Sequence, residues 1–509
     1  MDKILQNIDS GDYIMKKQKL TTPLLLAAIL LPACGESATV STDTTKAEVT
    51  ATAAPVVTEA VDPVLEMKDN YFASIAKIAE PGAEITFLSE TGDIVVEEET
   101  GAQFNDAIWY RNLEIEEKLG IKIKCEERDN DGSSVTITRT AVQAGDGSYD
   151  VVNIWTHNAA TLFVNGSLQD VTAIPNLQMD KEWWNQNANK ASTFAGHTFC
   201  AISSLNHYTS AVSEIVMVNK NLCTAYGMEV PYEAVREGTW TFDMMNEMIA
   251  KLPLDSNGDA VIDHNDLMGL VGQNVDVTAS MVASGVDYFV KDENDIPQYI
   301  LNTEENFDKF SMIFNMFNDK TRTIVVDTRG IDEPWHYWEF HFKEGNALFM
   351  MNYPGNLYAF AEMEDDYGIL PMPKYSAEQA EYRTMSSPWF TSCLVFPKVF
   401  DANPSDVGTT VDALSFLSYV DVEPTYAASY LESRYIRDED SVEMMRIATG
   451  STYYDPCFVL NYQLNDAMTS LQTIVRNGTN TFSSYVAKLA PSYTKLMDKL
   501  ASNIAKNMQ

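Results

Sequence analysis

Between residues 255 and 266 the chain reads Asp255-Ser256-Asn257-Gly258-Asp259-Ala260-Val261-Ile262-Asp263-His264-Asn265-Asp266. Asp255, Asn257, Asp259, Asp263 and Asp266 set oxygen-bearing side chains at positions 1, 3, 5, 9 and 12 of a loop, and Val261 at position 7 can offer its carbonyl. A hard cation such as Ca2+ is held by that kind of oxygen spacing. Glycine at position 4 instead of 6, and Asp instead of the longer Glu at position 12, depart from the EF-hand form. The spacing predicts a structural calcium site, with an Asx-rich surface turn as the alternative, and in both cases a structural loop. Asp292-Glu293-Asn294-Asp295 lacks the spacing and reads as a hairpin turn.

Other reactive constellations are absent from the sequence. It contains no HExxH, no GxSxG and no GxxxxGK phosphate loop, and His157, His197, His207, His264, His336 and His341 show no metal-ligand spacing. The 73 acidic residues leave a glycosidase-type carboxylate pair open, because such a pair meets only in three dimensions. Apart from Cys34, the cysteines are Cys125, Cys200, Cys223, Cys393 and Cys457, odd in number, widely spaced and without CxxC. That pattern argues against a disulfide framework or zinc site and for buried small hydrophobes.

The elements that must position any site alternate along the chain. With 509 residues, 45% of them hydrophobic, two domains are expected. Residues 84–89 read as a strand, 105–119 as an amphipathic helix, 121–126 as a strand and 135–144 as a helix. Residues 149–155 form an almost unbroken apolar run, as in a strand buried on both faces of a parallel sheet. A second unit begins with a strand at 214–219 and a helix at 220–227. It continues with strands at 347–352, 366–373 and 394–397 and a turn at Tyr353-Pro354-Gly355-Asn356. From Val411 onward the pattern is mostly helical. Such alternation predicts an α/β fold, whose ligands sit at the carboxyl ends of strands. Trp155, His157 and Asn158 occupy that place after the most buried strand. The net charge of −38 excludes nucleic acid as a partner and disfavours adhesion to anionic lipid.

Near the start, Lys16, Lys17 and Lys19 precede an apolar run, Leu24 to Leu31, that ends at Leu31-Pro32-Ala33-Cys34. A basic patch, a short apolar stretch and small residues make an export signal, and the run is shorter than the ~20 residues a membrane span needs. The cysteine resembles the lipobox of bacterial lipoproteins, which implies acylation of Cys34 and cleavage before it. Residues 1–33 are then the signal, with Met15 as the true start, and 34–66 a lipidated cysteine and disordered linker poor in large apolar residues.

The folded part resembles the extracellular solute-binding lipoproteins of ATP-driven importers, specifically their large carbohydrate-binding group. The stretches that carry the resemblance are YDVVNIW (149–155), GSLQDVTAIPNL (166–177), KEWWNQNA (181–188), VMVNKNLCTAYGM (216–228), GTWTFDMMNEMIAKL (238–252), FKEGNALFMM (342–351) and DYGILPMPKYSAEQAEY (366–382), with residues 435–455. The resemblance implies a two-lobed, type II periplasmic-binding-protein-like fold, each lobe a sheet flanked by helices, with a hinge between them. Crossings are expected near Ser210 to Ser213, Ser387 to Ser392 and Pro424. The first lobe is then 67–212 plus 388–424, and the second 213–387 plus 425–509.

Sugar recognition needs flat apolar faces and planar polar groups. Ligand contacts are expected at Trp155, His157 and Asn158, at His207 and Tyr208, at Tyr353 and Asn356, and at Trp389. His-Tyr at 207–208 and Tyr at 353 depart from the commonest members, so the sugar preferred elsewhere need not transfer. Trp183 and Trp184 are assigned to packing, and for Trp335 and Trp338 a core role stands beside a site role. The resulting expectation is a monomeric, lipid-anchored receptor on the extracellular face of the cell membrane, without catalysis. It captures an oligosaccharide and delivers it to an ABC transporter permease, with at most a structural Ca2+ as cofactor. A surface carbohydrate-processing enzyme and a sensing lipoprotein without transport are the rivals.

Overall fold

The computed structural model describes residues 62–92, 94–129, 132–326, 341–387, 389–432 and 435–507. The signal, Cys34 and the linker to residue 61 lie outside the described residues, as do Trp335, His336 and Trp338. A helix at Pro63–Ser74 begins inside the stretch expected to be linker. Asp62 starts it, accepting the Val64 N–H on its side chain at 2.9 Å and the Glu66 N–H on its carbonyl at 3.0 Å, while Pro63 supplies a pre-set φ.

Among the described residues from Ser74 onward, nine strands build the two larger sheets: β1 Glu84–Ser89, β2 Lys122–Glu127, β3 Val151–Trp155, β4 Ile215–Asn219, β5 Met268–Gly272, β6 Thr323–Val325, β7 Ala347–Asn352, β8 Tyr367–Pro371 and β9 Ser392–Val395. The first sheet has the order β9-β3-β1-β2. β1 is parallel to β2 and β3, whereas β9 is antiparallel to β3 with Ser392 opposite Trp155. The apolar run ending at Trp155 thus reports burial on both faces correctly, but not the direction of both neighbours.

The second sheet has the order β6-β5-β7-β4-β8. β5, β6 and β7 are parallel, and β4 lies antiparallel between β7 and β8. In β4, Val216 and Val218 join the main apolar cluster, which includes Leu88, Trp240 and Phe349. Ile215 and Met217 face a second cluster with Phe342, Phe360 and Met445, as period-2 alternation requires of a strand covered on both sides.

Most elements fall where the pattern puts them. The turn at 292–295 joins the hairpin strands Phe289–Lys291 and Pro297–Tyr299. The expected turn at 353–356 instead opens a 3-10 helix, Pro354–Phe360, because Pro354 at its first position has the helical φ already set. Trp183 and Trp184 both donate their indole N–H to Asp412 Oδ1, at 3.1 and 2.9 Å, which fixes them as packing residues. Cys200, Cys223 and Cys393 are buried free thiols, and burial pushes Cys223 up to about 11.

Residues 212–214 and 384–387 run side by side. Glu214 N–H donates to Met385 O and Ser387 N–H to Val212 O, each at 2.9 Å. Thr452–Tyr453 pairs in parallel with Thr384–Met385 and completes a small ladder that sequence patterning had not singled out. Pro424 lies in a helical run in which the α-helix Pro404–Leu417 is followed by π-helical turns at Ser418–Val422 and Ala427–Glu432.

Candidate functional site

At the carboxyl end of the first sheet, β1 is followed by Glu90 and β3 ends at Trp155, where the chain turns straight into the helix Thr156–Val164. Glu90 is 2% exposed, yet its carboxylate is satisfied locally. It accepts the Trp155 N–H on Oε2 at 3.1 Å and the Asn158 amide on Oε1 and Oε2 at 3.3 and 3.2 Å. Asn158 is therefore a link between two strand ends and not a free hydrogen-bonding arm.

Aromatic rings gather around this end. The Trp155 indole, 6% exposed, meets Phe390 edge to face at 6.2 Å. Its Nε1–H is buried with no hydrogen-bond acceptor. His157 meets Tyr462 edge to face at 4.8 Å, and the Trp389 indole donates to the Tyr462 hydroxyl. Burial raises the phenol pKa of Tyr462, and Asp466 adds to it. Gln463 Nε2 donates to Thr161 Oγ1 at 3.0 Å, which pins the Tyr462 segment to the helix that carries His157. Phe390 links Trp155, and Tyr462 links His157, to the segment that carries Trp389.

The corresponding end of the second sheet carries two buried carboxyls. Glu214, wholly buried, immediately precedes β4, and Asp276, 2% exposed, lies in the first turn of the helix Val275–Ala283 that follows β5. Tyr353, directly after β7, sets its hydroxyl against Glu214 and Ser387. Burial, then the charge of Asp276, lifts Glu214 well above the ordinary carboxylate range. Burial and the same two carboxyls also raise the Tyr353 phenol.

The remaining expected contacts are His207, Tyr208 and Asn356, the last of which adjoins the second group, its N–H donating to the Tyr353 carbonyl at 3.0 Å. His207 is 4% exposed, packed 4.6 Å from Phe104 and 5.1 Å from Tyr426. Tyr208 adjoins the same cluster. Asn356 donates its side-chain amide to Asn352 Oδ1 at 3.1 Å.

In the 255–266 loop the side-chain oxygens accept backbone N–H groups. Asp255 takes those of Gly258 and Ala260, Asn257 that of Asp259, Asp259 that of Val261, Asp263 that of Asn265, and Asp266 those of Ser256, Asn257 and Asp263. Among the described residues no three His, Cys, Asp or Glu side chains converge as a metal cluster.

Glu90, Glu214, Asp276 and Tyr462 escaped the sequence reading. In an acidic chain a single carboxylate stands out only by its burial, although Glu90 and Asp276 do follow strands, the same signal that picked Trp155.

A family model described as bacterial extracellular solute-binding protein matches residues 113–399. No curated protein matches the sequence. Among solved structures, the chain is similar to an ABC substrate-binding protein from Listeria monocytogenes in complex with cycloalternan, at 15% identity and TM-score 0.51 over 82% of this chain and 99% of that one. It is similar to a cyclo/maltodextrin-binding protein complexed with maltotetraose, at 14% identity and TM-score 0.55 over 83% and 98%. The cyclic alpha-maltosyl-1,6-maltose binding protein from Arthrobacter globiformis gives 11% identity and TM-score 0.55 over 82% and 99%. At such identities the likeness shows the fold, which is the two-lobed periplasmic-binding-protein-like architecture.

Proposed function

Because the chain belongs to the bacterial extracellular solute-binding proteins, we propose that it captures an oligosaccharide between the ends of its two sheets and presents it to an ABC transporter permease. The observation that supports this reading most is the ring cluster of Trp155, His157, Trp389, Phe390 and Tyr462, with the buried indole N–H of Trp155 still lacking an acceptor. Aromatic faces suit the apolar side of a pyranose, and an unsatisfied donor suits a hydroxyl.

In this reading the lobes are 67–212 plus 388–424 and 213–387 plus 425–509, ligand contacts to both favour the closed state, and the permease reads closure. Cys34 carries the lipid that holds a monomer on the extracellular face, and no helix among the described residues is long and apolar enough to cross a membrane. The 255–266 loop takes a structural Ca2+, a reading supported by its spacing.

A screen of neutral oligosaccharides against the purified full chain, read by calorimetry and tryptophan fluorescence, tests the assignment. Saturable binding without turnover over long incubation is expected. Hydrolysis of the bound sugar would favour the processing enzyme, and failure of every saccharide to bind would overturn the carbohydrate reading.

A further inference from the structure

The helices that follow Tyr462 leave an open cavity of about 260 Å³. Its walls come from Asn465 and Asp466, from Thr473 and Arg476 on the helix Gln472–Asn477, and from Tyr485 and Ser492 on the helix Phe482–Asn507. Pockets that enclose a whole small ligand run to roughly 300–1,000 Å³, so this one suits a single unit of a longer molecule.

Two features set it apart from an ordinary surface crease. Asn465 and Asp466 are consecutive residues in the left-handed region, at φ 53° and 58°, a conformation that persists only where neighbours hold it. Asn461 does the holding: its carbonyl accepts the Asp466 N–H at 2.9 Å and its amide donates to Asp466 Oδ1 at 3.2 Å. The second feature is Arg476, exposed and, among the described residues, donating only to Thr473 Oγ1 at 3.3 Å. In a chain with 73 acidic residues against 35 Lys and Arg, a guanidinium in ion pair with none of them keeps most of its donors available.

Asp466 also ties the cavity to the aromatic rings. Its charge raises the phenol of Tyr462, whose hydroxyl accepts from the Trp389 indole and whose ring meets His157. Tyr462, 46% exposed, thus stands between the rings and the cavity.

We propose that this cavity is a second saccharide subsite, holding a distal ring of a long oligosaccharide that leaves the aromatic cluster across Tyr462. This rests on the carbohydrate reading above. A pyranose presents both hydroxyls and an apolar face. The Asp466 carboxylate and the Arg476 guanidinium pair with its hydroxyls, Thr473 and Ser492 extend the polar wall, and the half-buried Tyr485 ring offers the flat surface. A short saccharide held at the rings ends before the cavity, so the preferred ligand is the longer chain.

Titration calorimetry on the full chain with malto- and cello-oligosaccharides, from disaccharide to heptasaccharide, tests the assignment. Affinity should step up about tenfold at the length whose end reaches the cavity, as one hydrogen bond to a charged group supplies. Ser492→Trp fills the cavity and Arg476→Ala removes its cation. Both positions are exposed, so the variants should melt with the unaltered protein. Each should abolish the step and bind the shortest saccharides as before. An affinity that does not rise with length, or a step that survives Ser492→Trp, overturns the second subsite and leaves the carbohydrate reading standing. Binding by no saccharide overturns both.

Discussion

The Trp155 N–H donates to Glu90 Oε2 at 3.1 Å, so the last residue of one strand is held by the residue just past its parallel neighbour. That bond puts the Glu90 carboxylate at the strand end that carries Trp155.

Glu90→Ala should cost about 1–3 kcal/mol, the penalty for leaving a buried backbone donor and the Asn158 amide unpaired. Glu90→Gln, which retains one oxygen acceptor, should recover part of that loss. Urea unfolding of both variants measures it, and equal stability of the two would show that the hydrogen bonds contribute nothing.

Trp155→Phe keeps most of the buried bulk and removes the unpaired indole N–H. Stability should hold or rise slightly, since an unsatisfied buried donor is lost, while sugar affinity falls about tenfold if that donor serves a ligand hydroxyl. Trp155→Ala should instead lose about 3–5 kcal/mol of stability, as an emptied core position does. Melting curves and titrations on the two variants separate support of the fold from contact with ligand.

Glu423, beside the Ser204 hydroxyl, is pushed up to about 7 by burial. A carboxyl whose folded pKa is raised stabilises the fold below its ordinary value near 4.5 and loses that contribution as pH rises through about 7. Stability should therefore decline from pH 4.5 to 7, by up to about 3 kcal/mol at roughly 1.4 kcal/mol per tenfold change in proton affinity. Glu423→Gln should flatten this part of the pH profile of unfolding, and an unchanged slope would assign the decline to another group.

Melting temperature should rise in calcium and fall in chelator, because a cation bound only to the native state adds about 2.7 kcal/mol at a hundredfold excess over Kd. Asp255→Ala should abolish the difference. Coincident melting curves with and without calcium would leave the 255–266 loop as a set of Asx turns.

Cys34→Ser should move the protein from the detergent phase to the aqueous phase on partitioning without changing its melting curve. Retention of the variant in detergent would remove the lipid anchor from the account.

The sheets were legible where burial imposes a pattern. Residues 84–89 and 347–352 form strands with the expected bounds, since Ile85, Phe87 and Leu88 in one and Ala347 to Met351 in the other supply the apolar residues that the sheets bury. What stayed hidden depends on meetings across long separations. Glu90 acquires its role from Trp155 and Asn158, Glu214 from Asp276 and Tyr353, and the ladder strand Thr452–Tyr453 is two residues long and has no periodicity to read. His207 was favoured for its place near a crossing, but the rings of Phe104 and Tyr426 enclose it, which position along the chain does not reveal.

The antiparallel pairing of β9 with β3 also orders events during synthesis. Cys393 and Ile154, which touch across that pair, are 239 residues apart, so a ribosome finishes β3 long before it makes the strand that covers it. Throughout that interval the apolar edge of Val151–Trp155 has no partner on one side, and a chain released before residue 392 carries it permanently. Such an edge is a template for pairing between chains. Premature termination should thus yield aggregating fragments and not a separately folded first lobe, and a chain threaded through an export channel delays closing this sheet until most of its length has emerged.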